Sequence, residues 1–168
     1  IIPINSEWKY LDTGTRLDRV DWTAIEYNDS EWKSGKAELG YGDGDEATAV
    51  DRGSEPSSKF HTTIYFRKEF QMGESIDKSL IIKLLRDDGA AVYLNGQELF
   101  RSNMKLGTIR YATYSITRNS SRNSRIFFPY FVEVPKFKTG KNVFAVEVHR
   151  GSRSDKDLSF NFAASALD

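Results

Sequence analysis

The stretch LLRDDGAAVYLNGQELF, residues 84–100, contains the strongest structural signal in the sequence. Asn95-Gly96 stands between two strand-like runs, and both residues tolerate the positive φ that a tight hairpin turn requires. The stretch therefore predicts a β-hairpin formed by residues 89–94 and 97–100. Just before it comes Asp87-Asp88-Gly89, where an aspartate can accept backbone N–H bonds and shape the entry into the hairpin.

Outside the hairpin, the apolar residues recur mostly with a period of two. In TTIYFRKEF, residues 62–70, Ile64 and Phe66 lie on one face of a predicted strand, and Tyr65 and Arg67 lie on the other. Strand-like composition also marks residues 79–85, 108–117, 127–134, 142–149 and 158–163. Because helical periodicity is lacking, the sequence predicts an all-β, jelly-roll β-sandwich of about eight or more antiparallel strands.

The composition limits the classes of function. The 168 residues, of which 39% are hydrophobic, fit one sandwich domain over residues 1–168. There is no cysteine, so disulfides, zinc-thiolate sites and a thiol nucleophile are excluded. The 24 basic residues equal the 24 acidic ones, which argues against nucleic-acid binding. No apolar run approaches the roughly 20 residues that span a bilayer, so we expect no membrane insertion.

The start of the chain bears on its cellular location. The sequence begins at Ile1 and shows no signal peptide, which we interpret as a domain excised from a larger multidomain protein, or as a processed form. The absence of cysteine fits an extracellular, periplasmic or cell-surface protein, although a reducing cytosol would permit it too.

Charge is balanced overall but not locally. Residues 12–55 contain 12 acidic and 5 basic residues, whereas residues 99–132 contain 6 basic and no acidic ones. Two interpretations remain open. Either the segments pair with each other or face solvent separately, or the first holds a cation and the second lies near an anionic ligand.

Six segments follow one another in a familiar order: DSEWK (29–33), AELGYGDGD (37–45), YFRKEF (65–70), LLRDDGAAVYLNG (84–96), GKNVFAVEVH (140–149) and DLSFNF (157–162). This order resembles the galactose-binding-like β-sandwich superfamily, which includes the sugar-binding domains of family 2 glycoside hydrolases. It is also similar to jelly-roll modules appended to bacterial surface proteins and secreted hydrolases. The resemblance implies a fold that hosts many functions, so the function has to be argued from sites.

Two acidic motifs are candidate metal sites. In YGDGDE, residues 41–46, glycines alternate with Asp43, Asp45 and Glu46, so that several oxygens can converge on a hard cation such as Ca²⁺. The superfamily resemblance implies a structural calcium in an early loop. Asp87 and Asp88 are similar to an Asp-Asp pair that binds calcium and sugar in protective-antigen-like lectin domains. The alternative for both motifs is a turn shaped by aspartate.

The candidate ligand residues are aromatic and basic. Sugars are held by aromatic surfaces with a few polar groups that fix the hydroxyls, and arginines can grip a carboxylated or sulfated glycan through paired contacts. The candidates are Trp22, Tyr41, Arg110, Tyr111, His149, Arg150 and Arg153. For His149 the sequence favours a hydrogen-bonded structural role over a ligand role, and Trp32 is expected in the core.

Three functions follow as hypotheses. The first is a non-catalytic carbohydrate-binding module that holds a neutral or anionic poly- or oligosaccharide in loops at one rim of the sandwich, with calcium as a potential aid. The second is a structural domain that packs against a neighbouring catalytic domain. The third is a hydrolase, which needs two carboxylates about 5–10 Å apart. No catalytic triad, phosphate loop or HExxH motif occurs, so the sequence predicts no catalytic residue and no enzyme.

Overall fold

The computed structural model describes residues 1–73, 78–118, 125–133, 135 and 137–167. Within these ranges the chain forms eleven β-strands and one turn of 3₁₀ helix at Ser57–Lys59. The strands are β1 (Glu7–Leu11), β2 (Lys33–Lys36), β3 (Leu39–Tyr41), β4 (Thr48–Ala49), β5 (Thr63–Met72), β6 (Leu80–Asp87), β7 (Gly89–Leu94), β8 (Gln97–Ser102), β9 (Phe127–Val132), β10 (Gly140–His149) and β11 (Leu158–Ala166).

The strands build two sheets that pack face to face. The six-stranded sheet has the order β2-β1-β5-β10-β7-β8, and the five-stranded sheet has the order β4-β3-β11-β6-β9. Neighbouring strands are antiparallel except for β3 and β4, which run parallel. The predicted all-β sandwich is therefore confirmed, with this one short parallel pair as a departure from the antiparallel pattern.

The main core lies between the sheets and follows the predicted alternation. Ile64 and Phe66 of β5 are fully buried opposite Phe160 and Phe162 of β11. The rings of Phe66 and Phe160 stack with centroids 4.1 Å apart, and Trp8 contacts both phenylalanines of β11 edge-on. Burying each such side chain contributes roughly 1.5–3 kcal/mol, so this layer is the main source of stability.

The predicted hairpin is confirmed. It joins β7 to β8, and its turn residues Asn95 and Gly96 have φ values of 52° and 86°, as a tight hairpin turn requires. The Asn95 side chain also accepts the Val143 N–H at 2.9 Å and donates to Asn142 at 2.8 Å. These bonds fix the turn against β10.

Residues 108–117, predicted as a strand, form no strand. They run irregularly over the outer face of the six-stranded sheet, where Tyr111 and Ser115 are buried. Their backbone groups bond to other loops, since the Tyr111 N–H donates to Asp18 at 2.6 Å and the Ser115 N–H donates to the Arg150 carbonyl at 3.0 Å. The strand-like composition arises because the segment covers a sheet without joining one.

A second irregular segment, residues 12–32, covers the same outer face and forms a minor core there. This core comprises Leu17, Trp22, Trp32, Tyr65, Tyr111 and Ala145, which confirms that Trp32 is buried. The sequence also permits one-turn helices at residues 21–24 and 29–32, but the structure has turns there, each closed by a hydrogen bond, from the Ala24 N–H to the Asp21 carbonyl and from the Trp32 N–H to the Asp29 carbonyl.

Arg67 fastens this segment to the sheet. Its side chain, only 2% exposed, donates to Asp29 at 2.8 Å and to the carbonyls of Trp22 and Ala24. The guanidinium also lies over the Tyr27 ring, 5.2 Å from its centroid. One buried cation therefore satisfies backbone groups that an irregular segment cannot pair with itself.

The sequence also predicts an exposed loop at residues 119–125 and a turn at residues 72–77. Both fall partly outside the described residues, since residues 119–124 and 74–77 are not described. Among the residues that are described, no helix has the length and apolar character needed to cross a bilayer.

Arg67→Ala should release residues 12–32 from the sheet. Removing one partner of a buried charged network typically costs about 3 kcal/mol or more, and the minor core should loosen with a red shift of tryptophan fluorescence. Denaturant unfolding measures the first effect and emission spectra the second. Arg52→Ala, which removes an exposed pair with Glu55 and a cation–π contact with the Phe60 ring, should cost only about 1 kcal/mol. Equal losses in the two variants would contradict the anchoring role.

Candidate functional site

A groove lies on the outer face of the six-stranded sheet, where the two irregular segments meet. Its inner cavity, of about 180 Å³, is lined by Leu17, Asp18, Val20, Trp22, Thr23, Tyr65, Tyr93, Ile109 and Glu147. An outer cavity of about 280 Å³ is lined by Asp18, Arg19, Thr108 and Arg110. Because the two share Asp18, we treat them as one feature and call it the sheet-face groove.

Aromatic side chains build one wall of the inner cavity. The Trp22 ring lies edge-on to Tyr65 and Tyr93, with centroids 4.9 and 5.8 Å away, and stacks on Trp32 at 6.4 Å. Trp22 is 6% exposed, so most of its surface is used in packing. The wall is therefore rigid and offers a narrow apolar strip to a ligand.

Glu147 of β10 forms the floor of the cavity. One carboxylate oxygen accepts the Tyr93 hydroxyl at 2.6 Å, and the other lies 3.0 Å from His149 Nε2. Burial, and then the neighbouring carboxylate, raises the pKa of the Tyr93 hydroxyl, which keeps it a donor. Each carboxylate oxygen has a second acceptor position, so Glu147 can also accept a bond from a ligand.

The proton positions beneath the floor follow from the partners of His149. The Thr63 hydroxyl donates to the Tyr111 carbonyl at 2.6 Å, so its oxygen accepts from His149 Nδ1 at 2.9 Å. The Thr113 carbonyl lies 2.7 Å from the same nitrogen and can only accept. Nδ1 therefore carries a hydrogen. His149, which is fully buried, supports the floor through the contact of its Nε2 with Glu147.

The structure separates the predicted ligand residues into two groups. Trp22 and Arg110 line the groove, while Tyr111 and His149 support it from below. The rest lie elsewhere. Tyr41 is buried against Phe60, and Arg153 is exposed outside the groove.

Arg150 belongs to the second group and is fully buried. Its guanidinium donates to the carbonyls of Ser57, Phe60, Arg153 and Asp155 at 2.5–3.2 Å. These bonds hold the loop between β10 and β11 against the loop before β5. Among the described residues, Arg150 therefore has a structural role, which is to hold two loops together.

A second candidate site lies at the end of the five-stranded sheet. Carboxylate oxygens of Glu38, Asp43 and Asp45 lie within 4.8 Å of one another. We call these three residues the acidic rim. Glu46 accepts the backbone N–H groups of Asp43 and Gly44 at 2.9 and 3.0 Å, so it closes the loop that presents the rim.

The two adjacent aspartates differ in environment. Asp88 accepts the Gly151 N–H at 2.5 Å, a long-range bond that ties the entry of the hairpin to the loop after β10. Asp87 is 2% exposed, and its Oδ1 has no hydrogen-bond partner among the described residues. It lies beside Ser159 in the ladder of β6 and β11, and the Ser159 hydroxyl donates to Asp43 at 3.2 Å. Asp87 therefore adjoins the acidic rim.

Excess negative charge raises the pKa of several groups at this end. Burial, and then Asp88, raises the pKa of Asp87 to about 9. Burial and the neighbouring carboxylates also raise the pKa of Glu38 and of Asp157. A bound cation would relieve this repulsion. Glu38 and Asp157 were not predicted as part of this site, since neither belongs to the YGDGDE motif or to the Asp87-Asp88 pair.

Comparison with known proteins identifies relatives by structure alone. No family model and no curated protein matches the sequence. A β-glycosidase from Bacteroides vulgatus matches 98% of this chain and 20% of its own, with 17% identity and a TM-score of 0.56. A β-glucuronidase from glycoside hydrolase family 2 matches 86% of this chain and 13% of its own, with 20% identity and a TM-score of 0.52. The chain has the fold of a family 2 β-sandwich domain.

This family 2-type sandwich corresponds to a small part of the proteins it matches. A β-glucuronidase from an uncultured Clostridium sp. aligns over 89% of this chain but only 22% of its own length. A calcium-binding mutant of Bacteroides uniformis β-glucuronidase 2 aligns over 94% and 17%, with 15% identity and a TM-score of 0.52. At identities this low, the structural similarity establishes only the fold, and it confirms the resemblance drawn from the sequence. Ligand binding has to be argued from the candidate sites.

Asp87→Asn tests whether this carboxyl resists ionisation in the fold. Its pKa rises from about 3.9 in an unfolded chain to about 9 in the folded protein. The folded state thus keeps a proton that the unfolded state loses, and the resulting stabilisation is complete below about pH 4 and is lost as the pH rises towards 9.

Because asparagine does not titrate, the stability of the Asp87→Asn variant relative to the native protein should rise between about pH 5 and pH 8. Thermal unfolding with a chelator present measures this difference. The exposed Asp21→Asn variant serves as the control and should show no such trend. A stability difference for Asp87→Asn that is independent of pH would contradict the assignment.

Proposed function

We propose that the chain is a non-catalytic, carbohydrate-binding accessory domain of a larger secreted or cell-surface protein. The observation that carries this proposal is the inner cavity of the sheet-face groove, which combines a rigid aromatic wall with a carboxylate floor. Sugar sites use the same combination, since apolar surface packs on C–H groups and a few acceptors fix the hydroxyls.

The size of the cavity fits one sugar unit. A volume of about 180 Å³ corresponds to about six water molecules at roughly 30 Å³ each, which is the space of one pyranose ring with its hydroxyls. Glu147 at the floor and Asp18 at the side are hydrogen-bond acceptors, and sugar hydroxyls are donors. The outer cavity leaves room for a second unit, so an oligosaccharide fits better than a free monosaccharide.

The accessory role is supported by how little of each matched enzyme the chain covers, 13–22%. The acidic rim, in which one oxygen from each of three carboxylates lies within 4.8 Å of the others, is spaced for sharing one cation.

Ile109→Trp tests the groove as the sugar site. Ile109 lines the inner cavity and is half-buried, so a larger side chain should fill the space and weaken glycan binding more than tenfold, with little change in melting temperature. A glycan array on the native protein identifies the ligand class, and isothermal titration calorimetry measures the loss. Ile116→Trp, at an exposed position outside the groove, should bind like the native protein. Unchanged binding by Ile109→Trp would contradict the proposal.

A second candidate function is a structural domain that packs against a neighbouring domain. Phe131 favours it, because this residue is 63% exposed on the edge strand β9 and pairs with half-buried Ile81 of β6. An exposed aromatic beside apolar surface is typical of a contact area. If the native protein binds no glycan on the array, this second function replaces the first.

We propose in addition that the acidic rim binds Ca²⁺. Glu38, Asp43 and Asp45 offer only oxygen, as calcium prefers. The neighbouring Asp87 supports the site independently, since it is buried with an unpartnered oxygen. The rim shares no residue with the groove, so calcium would stabilise the fold without touching the sugar.

Calcium should therefore raise the melting temperature without changing glycan affinity. A ligand at 100 times its dissociation constant stabilises the folded state by about 2.7 kcal/mol, which differential scanning calorimetry resolves easily. The double variant Asp43→Asn/Asp45→Asn should lose the shift, and Asp51→Asn, at an exposed acidic position, should keep it. A melting temperature unaffected by millimolar calcium would contradict the site, and glycan binding abolished by a chelator would contradict the separation of roles.

A further inference from the structure

The two ends of the sheet-face groove carry opposite charge. The inner cavity has the carboxylate of Glu147 at its floor, and the outer cavity is flanked by Arg19 and Arg110, with Asp18 between the two. We propose that the groove selects an oligosaccharide in which a neutral, hydroxyl-rich unit is joined to a unit that carries a carboxylate or a sulfate. This inference rests on the proposed carbohydrate-binding function and specifies its ligand.

The inner cavity excludes an anion. Glu147 is 6% exposed, and a second negative group brought against it would lose hydration without gaining a counterion. His149 is fully buried, and Thr63, Thr113 and Glu147 already occupy both of its ring nitrogens, so it presents no group to a ligand anion. A sugar hydroxyl, in contrast, donates to the free acceptor position on either oxygen. The chemistry of the floor therefore favours a neutral unit.

The outer cavity attracts an anion. Arg19 and Arg110 are exposed, and neither guanidinium forms an ion pair with any residue that the structure describes. Both stand on turns fixed by hydrogen bonds, because the Val20 N–H donates to Leu17 at 3.0 Å and the Thr113 N–H donates to Arg110 at 2.8 Å. Guanidinium groups bind carboxylate and sulfate through paired, charge-assisted bonds.

The order of the two cavities sets the order of the units. They meet at Asp18, where the Tyr111 N–H occupies one carboxylate oxygen at 2.6 Å. That bond fixes Asp18 as the boundary between the cavities. One ligand that fills both cavities therefore places a neutral ring on Glu147 and an anionic group between the arginines, about one sugar unit away.

Three defined oligosaccharides of equal length test this arrangement by calorimetry: a neutral one, one that alternates neutral and anionic units, and one in which every unit is anionic. The alternating ligand should bind about tenfold more tightly than the neutral one, with a preference that weakens as salt screens the arginines. The fully anionic ligand should bind more weakly than the alternating one, because it places a charge on Glu147. Carboxylated and sulfated versions of the alternating ligand distinguish the two sources of charge.

The variant Arg19→Gln/Arg110→Gln should lose the preference and bind the alternating and neutral ligands with equal affinity. Arg153→Gln, which removes an exposed arginine outside the groove, should retain the preference. Equal affinity of the native protein for the neutral and alternating ligands would overturn the inference and leave the carbohydrate site standing. Failure of all three ligands to bind would overturn both.

Discussion

The buried guanidinium of Arg67 holds residues 12–32 against the outer face of the six-stranded sheet, and the candidate groove depends on this contact. An irregular segment has backbone carbonyls that no ladder satisfies, and Arg67 provides donors to two of them while it pairs with Asp29. Trp22 is fixed by one of these bonds and forms the groove wall. The opposite wall is fixed by the bond from the Tyr111 backbone to Asp18. Two irregular segments on a regular sheet thus produce a concave site, as loops on a rigid scaffold commonly do.

The acidic rim follows a different physical logic. Its carboxylates lie where β3 and β6 end and β11 begins, and burial with mutual repulsion raises the pKa of Glu38 and of the neighbouring Asp87. Buried carboxylates with a perturbed pKa cluster at functional sites in proteins. We interpret the rim as a cation site that stabilises the loops around it. In this interpretation the groove on the sheet face binds the glycan, and the acidic rim at the end of the sheet stabilises the fold.

Much of the fold could be predicted because its signals are local. The Asn95-Gly96 turn and the alternation around Phe66 depend on neighbouring residues, and both predictions are confirmed. The prediction of a strand around Tyr111 was wrong, because a segment that packs on a sheet has a composition similar to that of a strand within a sheet.

The sites were less predictable. Trp22 and Arg110 could be proposed from residue type, but Glu147 and Tyr93 meet only through the register of β10 and β7. Glu38 and Asp43 flank the short strand β3, and their carboxylates meet only through the turn that follows it. The sequence predicted rim loops as the place for a sugar, whereas we propose the sheet-face groove, because no local pattern shows which face the irregular segments cover.

The most direct test of the groove as the ligand site is an NMR titration of the three tryptophan indole N–H signals with a glycan that the protein binds. Trp22 lines the inner cavity, whereas Trp8 lies in the main core between the sheets. The account predicts that the Trp22 signal shifts in proportion to saturation while the Trp8 signal stays in place. A saturating glycan that leaves the Trp22 signal unmoved would contradict it.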